Sequence, residues 1–374
     1  MRETNGKKTS LRRRWLVGIP LGVLILSLAA VGIILISNQS LPDPSTSTTP
    51  LAAEDSAHAE EALHLLAVLG KQTWPGLDDT LPLILWNDAF AFLINTGQDI
   101  PGWERLDNHM INGLPVFVQA HTANYQAFAE MLQNAQYAGS MATKDATNLE
   151  FVRLFEDNLP PLLAKIFPYR LILISSDHYI TALIHETFQA ENYPARFNDA
   201  EGAYLTEGEY EHQFAEMSAD WQNEMQFLID AVEETDSAIQ IDLARDFLAT
   251  RDERRSNQRL APSLILHEKR FEWLEGAFKY VELEIWRLAD TLDSYQPVAG
   301  MQGDKDFDRY EKYSSRWKNE LTNAHNAAEQ GGDSLFYYSG MLQARLLDHL
   351  LPGWKTRMGE HAVWLEDLLR EAVQ

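Results

Sequence analysis

The sequence predicts an α+β fold, predominantly α-helical, with a small N-terminal β-containing lobe, behind a single N-terminal transmembrane helix. Three observations carry this expectation. Residues 15–36 hold no charged side chain. Strand-like runs are confined to residues 81–174. From Asp177 onward, apolar residues recur at helical spacing almost to the end of the chain.

The uncharged stretch, Trp15 to Ile36, is 22 residues long. At 1.5 Å per residue it makes about 33 Å of helix, enough to cross a bilayer core of roughly 30 Å. A cleaved signal peptide has a shorter apolar region followed by a small-x-small site, and Ser37-Asn38-Gln39-Ser40 offers no such site. The expectation is an uncleaved anchor. Lys7, Lys8, Arg12, Arg13 and Arg14 precede it. By the positive-inside rule the 1–14 tail is cytoplasmic and the remainder extracytoplasmic, a layout suited to a bacterial cell envelope. A 14-residue tail is too short to fold, which excludes a receptor signalling through its own inner domain.

Composition narrows the chemistry. The chain has no cysteine, which removes disulfides, thiolate nucleophiles and cysteine-ligated zinc together. Beyond the tail, 25 Lys/Arg face 54 Asp/Glu, a net charge of −29. Nucleic acid and anionic headgroups are poor partners for such a surface.

Residues 37–53 form a Pro/Ser/Thr-rich stalk that cannot bury a core. One domain is expected over 54–374. Ala53 to Leu69 has helical periodicity. Leu81–Trp86 and Ala89–Ile94 read as strands around an Asn87-Asp88 turn, with further strands at Leu114–Gln119 and Tyr169–Ile174. Helices follow at about 177–192, 205–233, 238–256, 262–293, 306–329, 334–349 and 358–372, punctuated by Pro194, Pro297 and Pro352. No internal repeat is present.

The candidate site lies in Ile184-His185-Glu186-Thr187-Phe188-Gln189. A His-Glu-x-x-His helix binds zinc through two His on one face, and its Glu acts as general base. Here the fifth position is Gln189. The dipeptide alone carries little, since His267-Glu268 repeats it at near the chance rate. Context adds more: Ser175-Ser176-Asp177 is an N-cap group, and His178, Ala182, His185 and Gln189 form a narrow polar stripe on an otherwise apolar helix. A hydrogen-bonded core histidine explains the same pattern. His178, about 10 Å along the axis from His185, cannot replace the missing ligand simply. Further on, Glu268, Glu275 and Glu282 share a helical stripe with Phe271 and Phe278, which suits either a solvated face or a partly buried one. Gly276 would allow another helix to approach closely.

The block Leu183 to Ala190, followed by Leu274-Glu275-Gly276-Ala277 and Tyr280-Val281-Glu282, resembles bacterial zincin-type metallopeptidases of the gluzincin kind. Trp74-Pro75-Gly76-Leu77 to Ile94, Tyr337-Tyr338-Ser339-Gly340, Leu346-Leu347-Asp348 and Pro352-Gly353-Trp354-Lys355 extend the similarity over roughly residues 70–370. In that family the downstream Glu of a Glu-Gly-x-Ala-type helix is the third zinc ligand. Ala277 stands one position early here. The resemblance implies a zincin-like domain and a Zn(2+) site with His185 and Glu275 as ligands. It makes Glu186 the general base, puts Gln189 at the second His position, and gives Tyr337 or Tyr338 a role at the oxyanion.

Gln189 leaves the outcome open. The site could bind metal with Gln189, Glu191, Glu282 or water completing it. A histidine could come from elsewhere, His212 or His267. The pocket could also be a relic. The expected functions are a membrane-anchored zinc metallopeptidase acting on a peptide or envelope protein, or a non-catalytic pseudopeptidase or envelope-binding module of the same fold. A helical structural protein with His185 in its core is the third.

Overall fold

A computed structural model describes residues 32–39, 41, 51–121, 125, 128–358 and 363–374. The fold is α+β and mostly helical, as the residue pattern predicts, and its strands form one mixed sheet. Residues 1–31 and 42–50 lie outside the described residues, and with them the tail, most of the 15–36 span and most of the stalk. Residues 32–38 are helical. No helix among the described residues is long and apolar enough to cross a membrane.

The chain divides into a small unit, residues 1–48 with 143–174, and a large one, residues 49–142 with 175–374. In the large unit, α1 (Ala53–Leu65) continues through a π-helical turn, Leu66–Gly70, into a last turn at Lys71–Thr73. Six strands follow: β1 (Leu83–Trp86), β2 (Phe90–Ile94), β3 (Glu104–Ile111), β4 (Leu114–Ala120), β5 (Phe128–Met131) and β6 (Tyr137–Ala142). Their order in the sheet is β3-β4-β2-β1-β6-β5. All neighbours are antiparallel except β1 and β6, where Leu83 pairs with Gly139 and Trp86 with Ala142. Asn87 closes the β1–β2 turn by accepting from the Ala89 and Phe90 amides, both at 2.9 Å. One face of the sheet buries Ile84, Leu93, Phe117 and Leu132.

The small unit carries α2 (Lys144–Asn158) and α3 (Pro161–Ile166). The strand expected at Tyr169–Ile174 is not formed. Tyr169–Leu171 is a single 3₁₀ turn, since Pro168 withholds the donor that opens a ladder and no partner strand lies alongside.

The remaining helices are α4 (Ser176–Tyr204), α5 (Glu207–Glu233), α6 (Ser237–Asn257), α7 (Pro262–Phe271), α8 (Ala277–Thr291), α9 (Tyr313–Gln330), α10 (Asp333–Leu350) and α11 (Leu365–Ala372). Three differ from expectation. The α4 helix does not stop before Pro194 but runs on to Tyr204; its first turns are buried on several sides, and packing overrides a local helix breaker. The helix expected from residue 306 begins at Tyr313 because Arg309 and Tyr310 have φ of 58° and 65°, outside the helical region. The last helix begins at Leu365 rather than 358, and residues 359–362 lie outside the described residues.

The segment expected as one helix over 262–293 is interrupted by a π-turn, Glu272–Gly276, between α7 and α8. The Ala277 amide donates to the Glu272 carbonyl, five residues back. A wider turn changes the angular step, so the expected stripe of Glu268, Glu275 and Glu282 splits in two. None of it is solvated.

Before the turn, Glu268 and Glu272 enter a buried ionic cluster. Arg251 donates to Glu224 (2.9 Å), Glu272 (2.7 Å) and Glu366 (3.4 Å). Arg254 donates to Glu224 (2.5 Å) and Glu268 (2.6 Å), and Arg255 to Glu268 (2.8 Å) and Glu366 (2.7 Å). Tyr210 and Ser339 hydroxyls donate to Glu268 and Glu272, each at 2.6 Å. Five elements, α5, α6, α7 with its π-turn, α10 and α11, are joined through these side chains.

Burial pushes the Glu268 carboxyl up, but Arg254 and Arg255 beside it outweigh that and hold it down at about 2. A carboxylate depressed on folding contributes stability in full above its unfolded value near 4.5, and loses it as pH falls through the folded value. The denaturation midpoint is therefore expected to fall steeply between about pH 4.5 and 2. Urea titrations of the parent and of Glu268→Gln check this; an unchanged acid slope in the variant would remove Glu268 as the cause.

Candidate metal centre

Helix α4 starts where the sequence places it. The Ser175 hydroxyl accepts from the His178 amide at 3.3 Å, and Asp177 instead accepts from the Asp308 and Tyr310 amides at 2.7 and 2.6 Å, fastening the loop before α9. One face of α4 lies on β6. A Cβ on Gly139 would come within 2.9 Å of the Thr187 Cα, so the His185–Gln189 turn rests directly on the sheet. The opposite face meets the π-turn, α8 and α10.

There the predicted residues converge. His185 Nε2 lies 3.6 Å from Glu275 Oε2, the Gln189 amide nitrogen lies 3.3 Å from His185 Nε2, and the same nitrogen lies 3.3 Å from Glu275 Oε2. All three residues are buried. His185 Nδ1 faces Glu282 Oε2 at 3.7 Å. Glu282 accepts from Lys279 at 2.7 Å and from Arg316 at 3.3 Å. Tyr337 stacks on His185, ring centroids 6.0 Å apart at 14°, and its hydroxyl bonds Glu275. Phe278 stands edge-on to His185, and Phe188, Phe278 and Trp74 form an apolar wall behind.

The charges follow from this packing. Burial pulls the His185 imidazole down, but hydrogen bonds to Glu275 and Glu282 reverse this and raise it to about 10. Burial raises Glu186 to about 8, against the opposing pull of His185. Burial opposes ionisation of Glu282 as well, yet Lys279, His185 and Arg316 hold it well below the carboxylate range.

The Gln189 amide is in conflict with this frame. As placed, it turns N–H toward both the imidazole and the carboxylate, and leaves Gln189 Oε1 buried without a partner. An imidazole charged at neutral pH presents a hydrogen of its own at Nε2, so two donors face each other. Turned over by 180°, the amide offers its oxygen to His185 but sets it against the Glu275 carboxylate. A neutral imidazole with its hydrogen on Nδ1, toward Glu282, accepts the Gln189 N–H and leaves only Gln189 Oε1 unpaired; a cation at the centre, with the amide turned over, would use that oxygen as well. With the amide turned over so that its oxygen takes the place of its nitrogen, the dimensions agree: ligands sharing a tetrahedral ion at about 2.0–2.1 Å lie about 3.3–3.4 Å apart, and the triangle edges, measured to the present amide nitrogen, are 3.3, 3.3 and 3.6 Å. His185, Glu275 and the Gln189 oxygen can therefore hold a divalent cation, with Glu282 orienting the imidazole from its other nitrogen, as carboxylates behind metal-bound histidines do. Glu186 Oε2, on the next residue, is also buried without a partner.

Other candidates fall elsewhere. Glu282 cannot fill the gap beside Nε2 because it sits on Nδ1. Glu191 lies by Gly76 and Asp78. His267 Nδ1 is taken by Thr206 and Ala203, at 3.0 and 3.1 Å, and His212 is exposed. His178 accepts from Arg316 at 2.7 Å, and burial with that guanidinium lowers it to about 3. Tyr338 bonds Glu320 and Asn323, away from the triangle. The C-terminal block is structural: Asp348 accepts from Tyr280 at 2.6 Å and Trp354 at 3.0 Å, and pairs with Lys355 at 3.3 Å. Sequence reasoning missed Lys279 and Arg316, though Lys279-x-x-Glu282 has ion-pair spacing. Among the described residues, Glu54, His58 and Asp304 also approach one another, as an ordinary pair of His58 and Asp304 at 2.9 Å with an exposed Glu54 3.9 Å away.

Comparison with protein-family models, curated proteins and solved structures finds no match.

Proposed function

We propose that this chain is a membrane-anchored, extracytoplasmic, zincin-like protein whose metal site uses Gln189 in place of the second histidine. The reading rests on the triangle of His185, Gln189 and Glu275, whose edges match the spacing of ligands on one ion and whose Gln189 oxygen is buried without a partner. Its anchor is the uncharged span 15–36 with basic residues before it. The activity that follows is hydrolysis of a peptide or envelope-protein substrate.

Zinc bound there would polarise a carbonyl and acidify water. The remaining roles belong to the chain. Glu186, with one oxygen unpartnered, is placed to take a proton from attacking water when ionised, a state that burial opposes below about pH 8. Tyr337, stacked on His185, donates its hydroxyl to Glu275 and holds that carboxylate in place. Glu282, held by Lys279 and Arg316, fixes the imidazole. One amide oxygen in place of an imidazole nitrogen weakens zinc binding, because zinc favours nitrogen and sulfur donors. The second reading is a non-catalytic pseudopeptidase or envelope-binding module. The burial of all three ligands favours it, since buried donors leave little room for substrate.

Metal titration of the full chain in detergent separates these readings. Gln189→His is expected to tighten zinc binding by roughly two orders of magnitude or more, because it restores a third strong donor. His185→Ala and Glu275→Ala are expected to abolish it. Metal in the parent, with peptide cleavage that Glu186→Gln removes, supports the hydrolase. Metal only in Gln189→His supports the pseudopeptidase. Metal in neither would end the zincin reading.

A further inference from the structure

The small unit carries an apolar surface that the proposed chemistry does not use. Leu162 and Leu171 are 76% and 81% exposed, Leu154 is 57% exposed, and Leu163 and Phe151 are also exposed. They come from three consecutive pieces, α2, α3 and the turn at Tyr169–Leu171. Large aliphatic side chains grouped in this way on one small unit mark an interaction surface.

Two features identify what covers it. The first is covalent and geometric continuity with the span. Residues 32–38 belong to the same unit, and the Asn38 amide donates to the Phe167 carbonyl at 2.9 Å and the Lys165 carbonyl at 3.5 Å. Asn38 stands two residues beyond the end of the uncharged stretch, so α3 and its following turn are tied to the chain where that stretch ends. Ile33 and Ile36, in the same short helix, are 68% and 70% exposed. The second is charge. Residues 144–174 hold four Lys/Arg and four Asp/Glu, a net charge of zero in a chain of net charge −24, and the four acids all lie on α2 while residues 159–174 contain Lys165 and Arg170 and no acid. Exposed leucines on a neutral unit of an acidic chain, with the exposed Lys165 beside Leu162 and Leu163, are the chemistry of an element lying in the bilayer interface.

We propose that the 144–174 unit is a second membrane contact, with Leu162, Leu163 and Leu171 embedded in the extracytoplasmic leaflet beside the anchor. The proposal rests on the reading of 15–36 as a transmembrane anchor. The contact converts a single flexible tether into a two-point attachment, one point through the bilayer and one along its surface. No substrate or cofactor is involved, and the ligand is the lipid interface itself.

The absence of cysteine makes the test direct. Leu162→Cys, Leu171→Cys, Ile239→Cys and Leu26→Cys are labelled singly with an environment-sensitive fluorophore. Each full chain is reconstituted into phosphatidylcholine–phosphatidylglycerol vesicles with and without doxyl lipid, the nitroxide being shallow for positions 162, 171 and 239 and deep for position 26. Ile239, 47% exposed on α6, serves as a water-facing reference. The expected result is blue-shifted emission, quenched by doxyl lipid, at positions 162 and 171 and none at 239. Quenching at 26 but not at 162 or 171 overturns the surface contact and leaves the anchor standing. Quenching at 162 and 171 but not at 26 keeps the contact and removes the anchor. No quenching at any of these positions removes both. Disulfide-linked dimers of Leu162→Cys without quenching would assign the leucines to a second copy of the chain and overturn the proposal.

Discussion

Arg254→Ala is expected to destabilise the fold by about 3–5 kcal/mol, a large share of the 5–15 kcal/mol that holds a typical domain together. Its guanidinium is fully buried, bonds Glu224 and Glu268, and lies over the Trp221 ring at 4.3 Å. Arg251, Arg254 and Arg255 face four glutamates in this cluster, and Arg370 at its rim bonds Glu366 at 2.8 Å, so the four arginines match the four glutamates when all are ionised. Removing Arg254 leaves one excess negative charge, shared by Glu224 and Glu268, in a medium that solvates it poorly, and opens a cavity beneath Trp221. The penalty comes mostly from the charges left behind, not from any net gain the intact pairs supply. Arg254→Lys is expected to recover only part of it, because one ammonium cannot serve two carboxylates in the arrangement of a planar fork. Urea denaturation measures both variants. A loss below about 1 kcal/mol for Arg254→Ala would show that the cluster is solvated in solution.

Gly340→Ala is the second large effect, and it reaches the candidate site. A Cβ on Gly340 would stand 2.2 Å from the Glu272 carbonyl oxygen and 2.8 Å from the Gly276 Cα. Gly276 has the reciprocal problem, with a Cβ 2.4 Å from the Gly340 Cα. Both obstacles are backbone, so no side chain can swing away, and α10 must separate from the π-turn. Overpacking of this kind costs about 1–3 kcal/mol or more. The displaced turn carries Glu275, so metal affinity is expected to fall along with stability. A surface glycine gives the control: Gly208→Ala meets nothing within 4 Å. If Gly340→Ala lowered neither the denaturation midpoint nor metal binding in Gln189→His, the seam would not position the ligand.

The sequence exposed those parts of the fold in which neighbouring residues decide the outcome. The Asn87 turn, the Ser175 cap and the need for a small residue at Gly276 are local chemistry, and each was legible. Strand β3, Glu104-Arg105-Leu106-Asp107-Asn108-His109-Met110-Ile111, was not. It is a sheet edge, mostly exposed, and its polar residues carry no alternation. Strand β6, Tyr137-Ala138-Gly139-Ser140-Met141-Ala142, hides for the opposite reason: its residues are small because α4 lies against them, and small residues lack a strand signature. Tyr169–Ile174 misled because an aliphatic run looks the same whether it pairs in a sheet or faces outward. At the candidate site, His185, Gln189 and Glu275 were legible from motif spacing. The supporting cations were not, since Arg316 reaches Glu282 across 34 positions of sequence.

The π-turn at Glu272–Gly276 has a consequence for how such a site can arise. Without it, a uniform helix would point Glu268, Glu275 and Glu282 in one direction, toward one neighbour. With it, the same polypeptide rod addresses the arginine cluster on one side and His185 on the other. Inserting one codon into a helix is enough to create that change of heading. A protein can in this way acquire a second buried polar centre without building a new element, and lose it again by a one-codon deletion that leaves the first centre in place.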